Sequence, residues 1–220
     1  MTMLCSDKTG TLTKNVLELR PPILMSDMDE RELMFYSALS AKRVRGNQDA
    51  IDFCITEKVL SYGEDQARRF DAFTELDFHP FNPTDKRTEA TILSPEVDDG
   101  AGGKKRHIFK VTKGAPQVIL RMCLNDPHSA YTEEQKRELD QRVSASIQEL
   151  ADRGFRALGV AIKYSTGPID TEELETNTYG GWEFQGLLSL FDPPRDDTKF
   201  TIQEAVDGGV TVKMVTGDQT

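Results

Sequence analysis

The chain has 220 residues, 37% of them hydrophobic and 29% charged, with a formal net charge of -10. That length suffices for one large domain or two small ones, each with a true core, and the acidic balance argues against a nucleic-acid binder, which needs a basic face for phosphate backbones. No apolar run approaches the roughly 20 residues of a bilayer span, and no apolar leader follows Met1, so the chain as given reads as soluble.

The opening residues read as a short buried strand, Thr2 to Cys5, entering a Gly/Thr-rich loop at Asp7–Thr13. Pro21-Pro22 is expected to break any regular element. Helical apolar spacing follows over Asp29–Lys42, at Leu33, Met34, Ser37 and Ala38, behind an acidic first turn. A second helix is predicted over Asp49–Tyr62, with Ile51, Ile55, Val59 and Leu60 on one face. Phe73, Leu76 and Phe78 precede a turn-rich segment from His79 to Arg87. The β-rich runs Thr88–Leu93 and His107–Thr112 then flank a Gly-rich loop and predict a hairpin. The basic run Lys104–His107 beside the loop reads as a solvated charge cluster.

Ala115–Leu124 and Thr132–Arg153 read as helices, the second opened by a capping box from Thr132 to Gln135. Arg156–Lys163 is a predicted strand, and Ser165–Gly181 a polar loop. Trp182–Phe191 is a buried-strand pattern ending in Asp192-Pro193-Pro194-Arg195. A helix over Asp197–Asp207 and a strand over Val210–Val215 follow, the latter running into Thr216-Gly217-Asp218. Both ends are thus α/β in style and the middle is a mixed block with hairpins. The expected topology inserts the middle, residues 21–181, into an outer fold of residues 1–20 and 182–220 that share one sheet.

Cys5, Cys54 and Cys123 are widely separated and odd in number, which fits reduced thiols in a cytosolic setting and no zinc site. The chemistry concentrates at Asp7-Lys8-Thr9-Gly10-Thr11-Leu12-Thr13. An aspartate at the carboxyl end of a parallel strand sits where open α/β sheets bind ligands. The residues after it offer amides, hydroxyls and one positive charge to a phosphate, with Gly10 allowing the tight turn. A carboxylate so placed can attack a phosphoryl group and form a mixed anhydride. Taken alone, the run is equally a polar turn after a buried strand. Thr216-Gly217-Asp218 and Asp192-Pro193-Pro194-Arg195 also follow predicted strands, which makes three strand ends with phosphate-suited loops.

This constellation, together with Lys113-Gly114-Ala115-Pro116 and in the same order, resembles the P-type ATPase family over nearly the whole chain. The resemblance implies a haloacid-dehalogenase-like, Rossmann-like α/β phosphorylation domain, partial here, with an inserted mixed α/β nucleotide-binding domain containing an antiparallel sheet. It implies that Asp7 is the phosphorylated residue, with Lys8, Thr9, Thr216, Gly217 and Asp218 around it. ATP is the implied substrate, with Mg²⁺ on the Asp7 carboxylate and the Thr9 carbonyl. Phe81 resembles the adenine-stacking aromatic, and Lys86, Lys113 and Gly114 the pocket beside it. Arg156 resembles an arginine that reaches the phosphates, Asp49 an acidic residue near the adenine amino group, and Asp192 and Arg195 complete the nucleotide set. Read from the residues alone, Phe81 can equally fill the core beneath its turn, and Arg156 can pair with a nearby carboxylate.

The runs Phe78–Thr88, Asn47–Asp52 and Lys213–Gln219 look most like plasma-membrane proton pumps, so the implied ion is H⁺ and the implied setting the cytoplasmic side of a plasma membrane. The resemblance also implies that transmembrane and actuator domains belong to the parent protein and that the magnesium-binding segment lies past Thr220. The chain is then expected to bind nucleotide weakly and not to turn over alone. Two rivals stand beside this reading. A phosphatase of the same fold commonly carries a second aspartate two residues after the nucleophile, where this chain has Thr9. A non-catalytic nucleotide-binding module would leave Asp7 and Asp218 unexplained. A P-loop enzyme is not supported, since no GxxxxGK[ST] occurs.

Overall fold

A computed structural model describes residues 1–14, 16–44, 46–98, 104–167, 169–172 and 174–215. The chain opens with β1 (Met3–Asp7), followed by a single wide turn over Lys8–Leu12 and then β2 (Glu18–Leu24). Three helices come next, α1 (Glu30–Leu39), α2 (Ala50–Leu60) and α3 (Glu64–Ala72). The strands β3 (Thr74–Asn82) and β4 (Arg87–Leu93) lead through the two-residue pair β5 (Val97–Asp98) and β6 (Lys104–Lys105) to β7 (Ile108–Gly114). Then follow α4 (Pro116–Asn125), α5 (Glu133–Asp152), β8 (Arg156–Tyr164), β9 (Glu183–Phe191), α6 (Thr198–Asp207) and β10 (Thr211–Val215).

Six strands form one antiparallel sheet in the order β2-β9-β8-β7-β4-β3. Alternation along its strands sends side chains to two faces. Ala90 and Ile92, Phe109 and Val111, and Leu158, Val160 and Ile162 meet α1, α2 and α3 through Leu33, Met34, Phe35, Leu39, Ile55, Val59 and Phe70. On the other face Ala161, Phe184 and Leu187 pack with Ile119, Cys123, Leu139, Val143 and Leu150 of α4 and α5. Helices α1, α2 and α5 start at the caps their sequence offers. Asp29 caps α1 and Asp49 caps α2, each accepting a backbone N–H three residues on at 2.8 Å. Both halves of the Thr132/Gln135 capping box open α5.

Three expectations need correction. Pro21 and Pro22 do not end a regular element but lie inside β2. The strand is at the sheet edge and its register slips between Arg20 and Ile23, so two residues that cannot donate to a ladder are tolerated. The turn-rich reading of His79–Arg87 is too broad. His79 to Asn82 belong to β3, the opposite edge, whose register also slips there, and only residues 83–86 turn. Residues 182–191 do not share a sheet with β1. β9 is flanked by β2 and β8, whereas β1 pairs with β10 alone, in parallel, with Asp7 opposite Val215. The crossover between the two sheets falls at Asp192.

Candidate functional site

The site residues named from sequence gather into two groups. The first surrounds Asp7. This residue ends β1, is exposed, and accepts the Lys8 N–H on its own Oδ1 at 2.8 Å. Thr9 leaves helical geometry and Gly10 takes φ 78°, a left-handed conformation that glycine adopts without strain. The turn closes through the Thr13 N–H to the Lys8 carbonyl at 3.1 Å. The Gly10 N–H reaches Thr13 Oγ1, also at 3.1 Å.

Asp192 and Arg195 join this group. Thr13 Oγ1 donates to Asp192 Oδ2 at 2.6 Å, in the range of a hydroxyl bonded to a carboxylate. Arg195 Nη2 donates to the Gly10 carbonyl at 2.9 Å and its backbone N–H to the Leu12 carbonyl at 3.0 Å. The Thr198 hydroxyl adds a second donor to Leu12 at 2.7 Å, Lys14 N–H bonds to the Pro193 carbonyl, and Lys14 pairs with Asp196 at 2.8 Å. The stiff Pro193-Pro194 segment therefore carries polar groups into the loop after Asp7 and fixes its shape. Asp192 and Arg195, named from sequence as nucleotide ligands, spend their observed hydrogen bonds on this clamp. Thr216, Gly217 and Asp218 lie outside the described residues.

The second group lies at the end of the six-stranded sheet. Phe81 is 55% exposed on edge strand β3. It lies in the register slip between His79, opposite Glu89, and Asn82, opposite Arg87, where β4 has the single residue Thr88; Thr88 pairs with Lys113 on β7. Lys86 holds a left-handed backbone, φ 52°, in the turn between β3 and β4. Its carbonyl accepts the Ala115 N–H at 2.9 Å. A Cβ on Gly114 would stand 2.4 Å from that oxygen, so this close approach requires glycine. Asp49 caps α2 and its Oδ1 is occupied by the Asp52 N–H. Arg156, exposed at the start of β8, pairs with Leu190 just before the crossover.

Lys113 departs from the expectation of a cation lining an open pocket. It is 3% exposed, and its ammonium sits 2.7 Å from Asp52 Oδ1, 2.9 Å from the Ser40 carbonyl and 2.9 Å from Thr88 Oγ1. Burial pulls its pKa below the usual lysine value, against the opposing pull of Asp52. Sequence reading named neither Asp52 as a site residue nor Thr13 as a partner of Asp192. The available signal for Asp52 was its place one helical turn after Asp49, on the same face. No local signal links Thr13 to a residue so far along the chain.

The Asp7 carboxylate and the Thr9 carbonyl are oxygen donors of the kind Mg²⁺ takes, although one Asp7 oxygen already accepts an amide. Among the described residues no cluster of three His, Cys, Asp or Glu side chains could hold a metal ion, and no helix is long and apolar enough to cross a membrane.

Residues 35–197 match the family described as P-type ATPase, cytoplasmic domain N. The chain is 39% identical over 221 residues to a probable plasma membrane ATPase of Dictyostelium discoideum, covering all of this chain and 18% of that protein. It is 38% identical to the plasma membrane ATPase of Kluyveromyces lactis and 37% identical to plasma membrane ATPase 2 of Saccharomyces cerevisiae, each over 98% of this chain. Those matches cover 21% and 20% of the yeast proteins, so the chain spans about a fifth of the length of these relatives.

Proposed function

Because the chain belongs to the P-type ATPase family, matching its cytoplasmic domain N, we propose that it binds ATP beside Phe81 and that Asp7 accepts the γ-phosphoryl group in a cation pump. The observation that carries the reading is the exposed Asp7 at the carboxyl end of a parallel strand, entering a loop held from outside by Thr13–Asp192 and Gly10–Arg195. Phosphoryl transfer is mostly positioning and neutralisation of charge, and this clamp is a positioning device. Attack by an Asp7 oxygen forms the O–P bond of an aspartyl-phosphate as the bond to the β-phosphate oxygen breaks and ADP leaves. Thr9, two residues on, carries no carboxylate that could activate water against that intermediate, which favours a pump over a phosphatase. Mg²⁺, held by the Asp7 carboxylate and the Thr9 carbonyl, would supply charge neutralisation on the phosphoryl oxygens. Thr216, Gly217 and Asp218 are proposed to complete the phosphate site, with Lys8 beside Asp7.

On the sheet memberships described above, we draw the inserted nucleotide-binding unit at residues 18–191. We assign β1, β10 and α6 to a haloacid-dehalogenase-like phosphorylation unit. Phe81 is proposed to stack on adenine, with Lys86, Gly114 and Asp49 around it and Arg156 reaching toward the phosphates. The resemblance of Phe78–Thr88, Asn47–Asp52 and Lys213–Gln219 to plasma-membrane proton pumps assigns H⁺ as the cation, with the parent protein in the plasma membrane. Its membrane-spanning and actuator domains would be partners of this segment.

Titration calorimetry with ATP tests the reading. The 220-residue chain binds ATP, and Phe81→Ala lowers the affinity about tenfold, the scale of one lost base-stacking contact. Asp7→Asn, which removes the nucleophile and not the ring, still binds. No binding by the unaltered chain, or binding indifferent to Phe81, overturns the proposal. In the form of the protein that turns over ATP, hydroxylamine-labile label from the γ-phosphate disappears with Asp7→Asn.

A further inference from the structure

The six-stranded sheet has an open edge where β2 ends. That strand stays paired with β9 as far as Leu24, opposite Gly186, and the Met25 N–H then reaches the Gln185 carbonyl at 2.9 Å. β9 begins earlier, at Glu183, and among the described residues its first residues have only β8 beside them. Side chains meet the backbone donors on the open side. The Phe184 N–H donates to the Tyr131 hydroxyl, and the N–H of Trp182, just before the strand, to Asp126 Oδ2, each at 3.1 Å. Such a guard keeps a sheet edge from pairing with a foreign strand. Gln185 is the extra residue of a β-bulge, between the pairs Phe184–Ala161 and Gly186–Val160.

A cleft of about 500 Å³ runs along this edge, lined by Glu183, Phe184 and Gln185, by the chain leaving β2 at Asp27, and by Tyr131, Gln135 and Arg142. Gln185 is 4% exposed, and of its amide Nε2 donates to the Glu183 carbonyl at 3.2 Å. Among the described residues neither Asp27 nor Glu183 is paired with a cation, and Arg142 brings one positive charge against the two carboxylates.

We propose that this cleft is a strand-addition site for an extended, basic peptide of a partner protein, and that Tyr131 is its gate. The peptide lies antiparallel to β9, in line with β2. One of its carbonyls takes the Phe184 N–H from the Tyr131 hydroxyl, and its lysine or arginine side chains reach Asp27 and Glu183. In this mode of recognition main-chain hydrogen bonds supply affinity and side chains supply specificity. The extended form follows from a strand edge held closed by a single hydroxyl. The basic character follows from two unpaired carboxylates on a chain of net charge -10. The proposal stands apart from the nucleotide reading and uses none of its residues.

The test titrates the ¹⁵N-labelled 220-residue chain with a blocked hexapeptide alternating lysine and valine, and with its glutamate and valine counterpart. The lysine peptide binds saturably, shifts the Phe184 amide and gives cross-peaks to it, while the glutamate peptide binds at least about tenfold more weakly. Asp27→Asn and Glu183→Gln each weaken the lysine peptide about threefold, the scale of an exposed ion pair. Tyr131→Phe binds it about tenfold more tightly, because the free variant leaves a buried N–H unsatisfied that only the peptide can satisfy. A tyrosine that merely shaped the cleft would move affinity the other way. Equal or weaker binding by Tyr131→Phe therefore overturns the gate. Equal binding of the two peptides overturns the basic partner. No binding by either the unaltered chain or Tyr131→Phe, or binding that leaves the Phe184 amide unmoved, overturns the site. A dimer of the chain, seen in sedimentation and shielding that amide, would place a second copy in the cleft and overturn the peptide.

Discussion

The six-stranded block and the two-stranded unit of β1 and β10 are built on opposite terms. In the block, β4, β7, β8 and β9 are buried almost throughout and sandwiched between two helical layers. In the small unit, Met3, Leu4, Met214 and Val215 stay exposed, and among the described residues two parallel strands pair without a third. Parallel strands are ordinarily covered on both faces, and a two-stranded ribbon has little stability of its own. The residue with the most pointed chemistry, Asp7, therefore sits on the part with the least packing, and its loop takes its shape from the hydrogen bonds of Asp192 and Arg195. Packing holds the block together, while polar clamping sets the geometry of the loop after Asp7.

Thiol labelling should separate the two regions most widely. Cys5 on β1 is exposed, whereas Cys123 on α4 is fully buried and burial pushes its thiol pKa far up. An aromatic disulfide reagent should modify Cys5 at least about a thousandfold faster than Cys123, which becomes reachable only on global opening. Cys54 should fall between them, half-buried, its pKa raised by burial and its Sγ 3.2 Å from the Leu17 carbonyl. Equal rates at Cys5 and Cys123 would erase the contrast.

Core truncation comes next in size. Phe109 is 2% exposed and meets the rings of Tyr36, Phe73 and Tyr164. Phe109→Ala should cost about 3–5 kcal/mol in denaturant unfolding. Met214→Ala, at a residue 58% exposed, should change it by less than about 0.5 kcal/mol. A large effect at Met214 would mean that β10 is better packed than its surface indicates. At the clamp itself, Asp192→Ala removes the acceptor of the Thr13 hydroxyl. Hydrogen bonds to charged groups contribute about 1.5–3 kcal/mol, so exchange at the Gly10 and Thr13 amides should rise roughly tenfold or more while β9 stays protected. Unchanged exchange at those two amides would show the loop to be self-supporting.

The same division explains what could be read from the sequence. Elements of the block with a clean period or a cap were legible, as in α1, α2 and the capping box of α5. Helix α3 was not, because Phe70 is its only buried residue and little apolar stripe remains to count. Strands β2 and β3 were obscured by Pro21, Pro22 and Pro80, which only the edge position makes tolerable. The pattern of β9 was visible but its sheet was not, since a buried run does not state which neighbour it pairs with. The loop after Asp7 was legible in kind, from residue types that suit phosphate. Its clamp was not, because Thr13 and Asp192 lie 179 residues apart. Lys113 was read as a pocket cation because charge is the local signal, whereas its burial against Asp52 exists only once α2 packs on the sheet.

The smallest effect tests the edge of the block, where its packing begins to resemble that of the exposed unit. Glu75 on β3 has its pKa raised chiefly by burial and also by nearby Asp77, while Arg43 at 3.7 Å pulls it back. Its Oε2 is buried without a hydrogen-bond partner. A carboxyl with a higher pKa when folded binds protons preferentially in the native state. Its stabilising contribution is therefore present below the unfolded value of about 4.3 and lost as pH rises through the folded value. Glu75→Gln stays neutral and removes this slope. Its stability should gain on that of the unaltered chain as pH climbs from about 4 toward 7, by about 0.5 kcal/mol or less, discounted for screening because the side chain keeps 29% exposure. Urea midpoints for both chains across that range would decide it: parallel curves would show that Arg43 fully offsets the burial and that the β3 edge is as well satisfied as the interior.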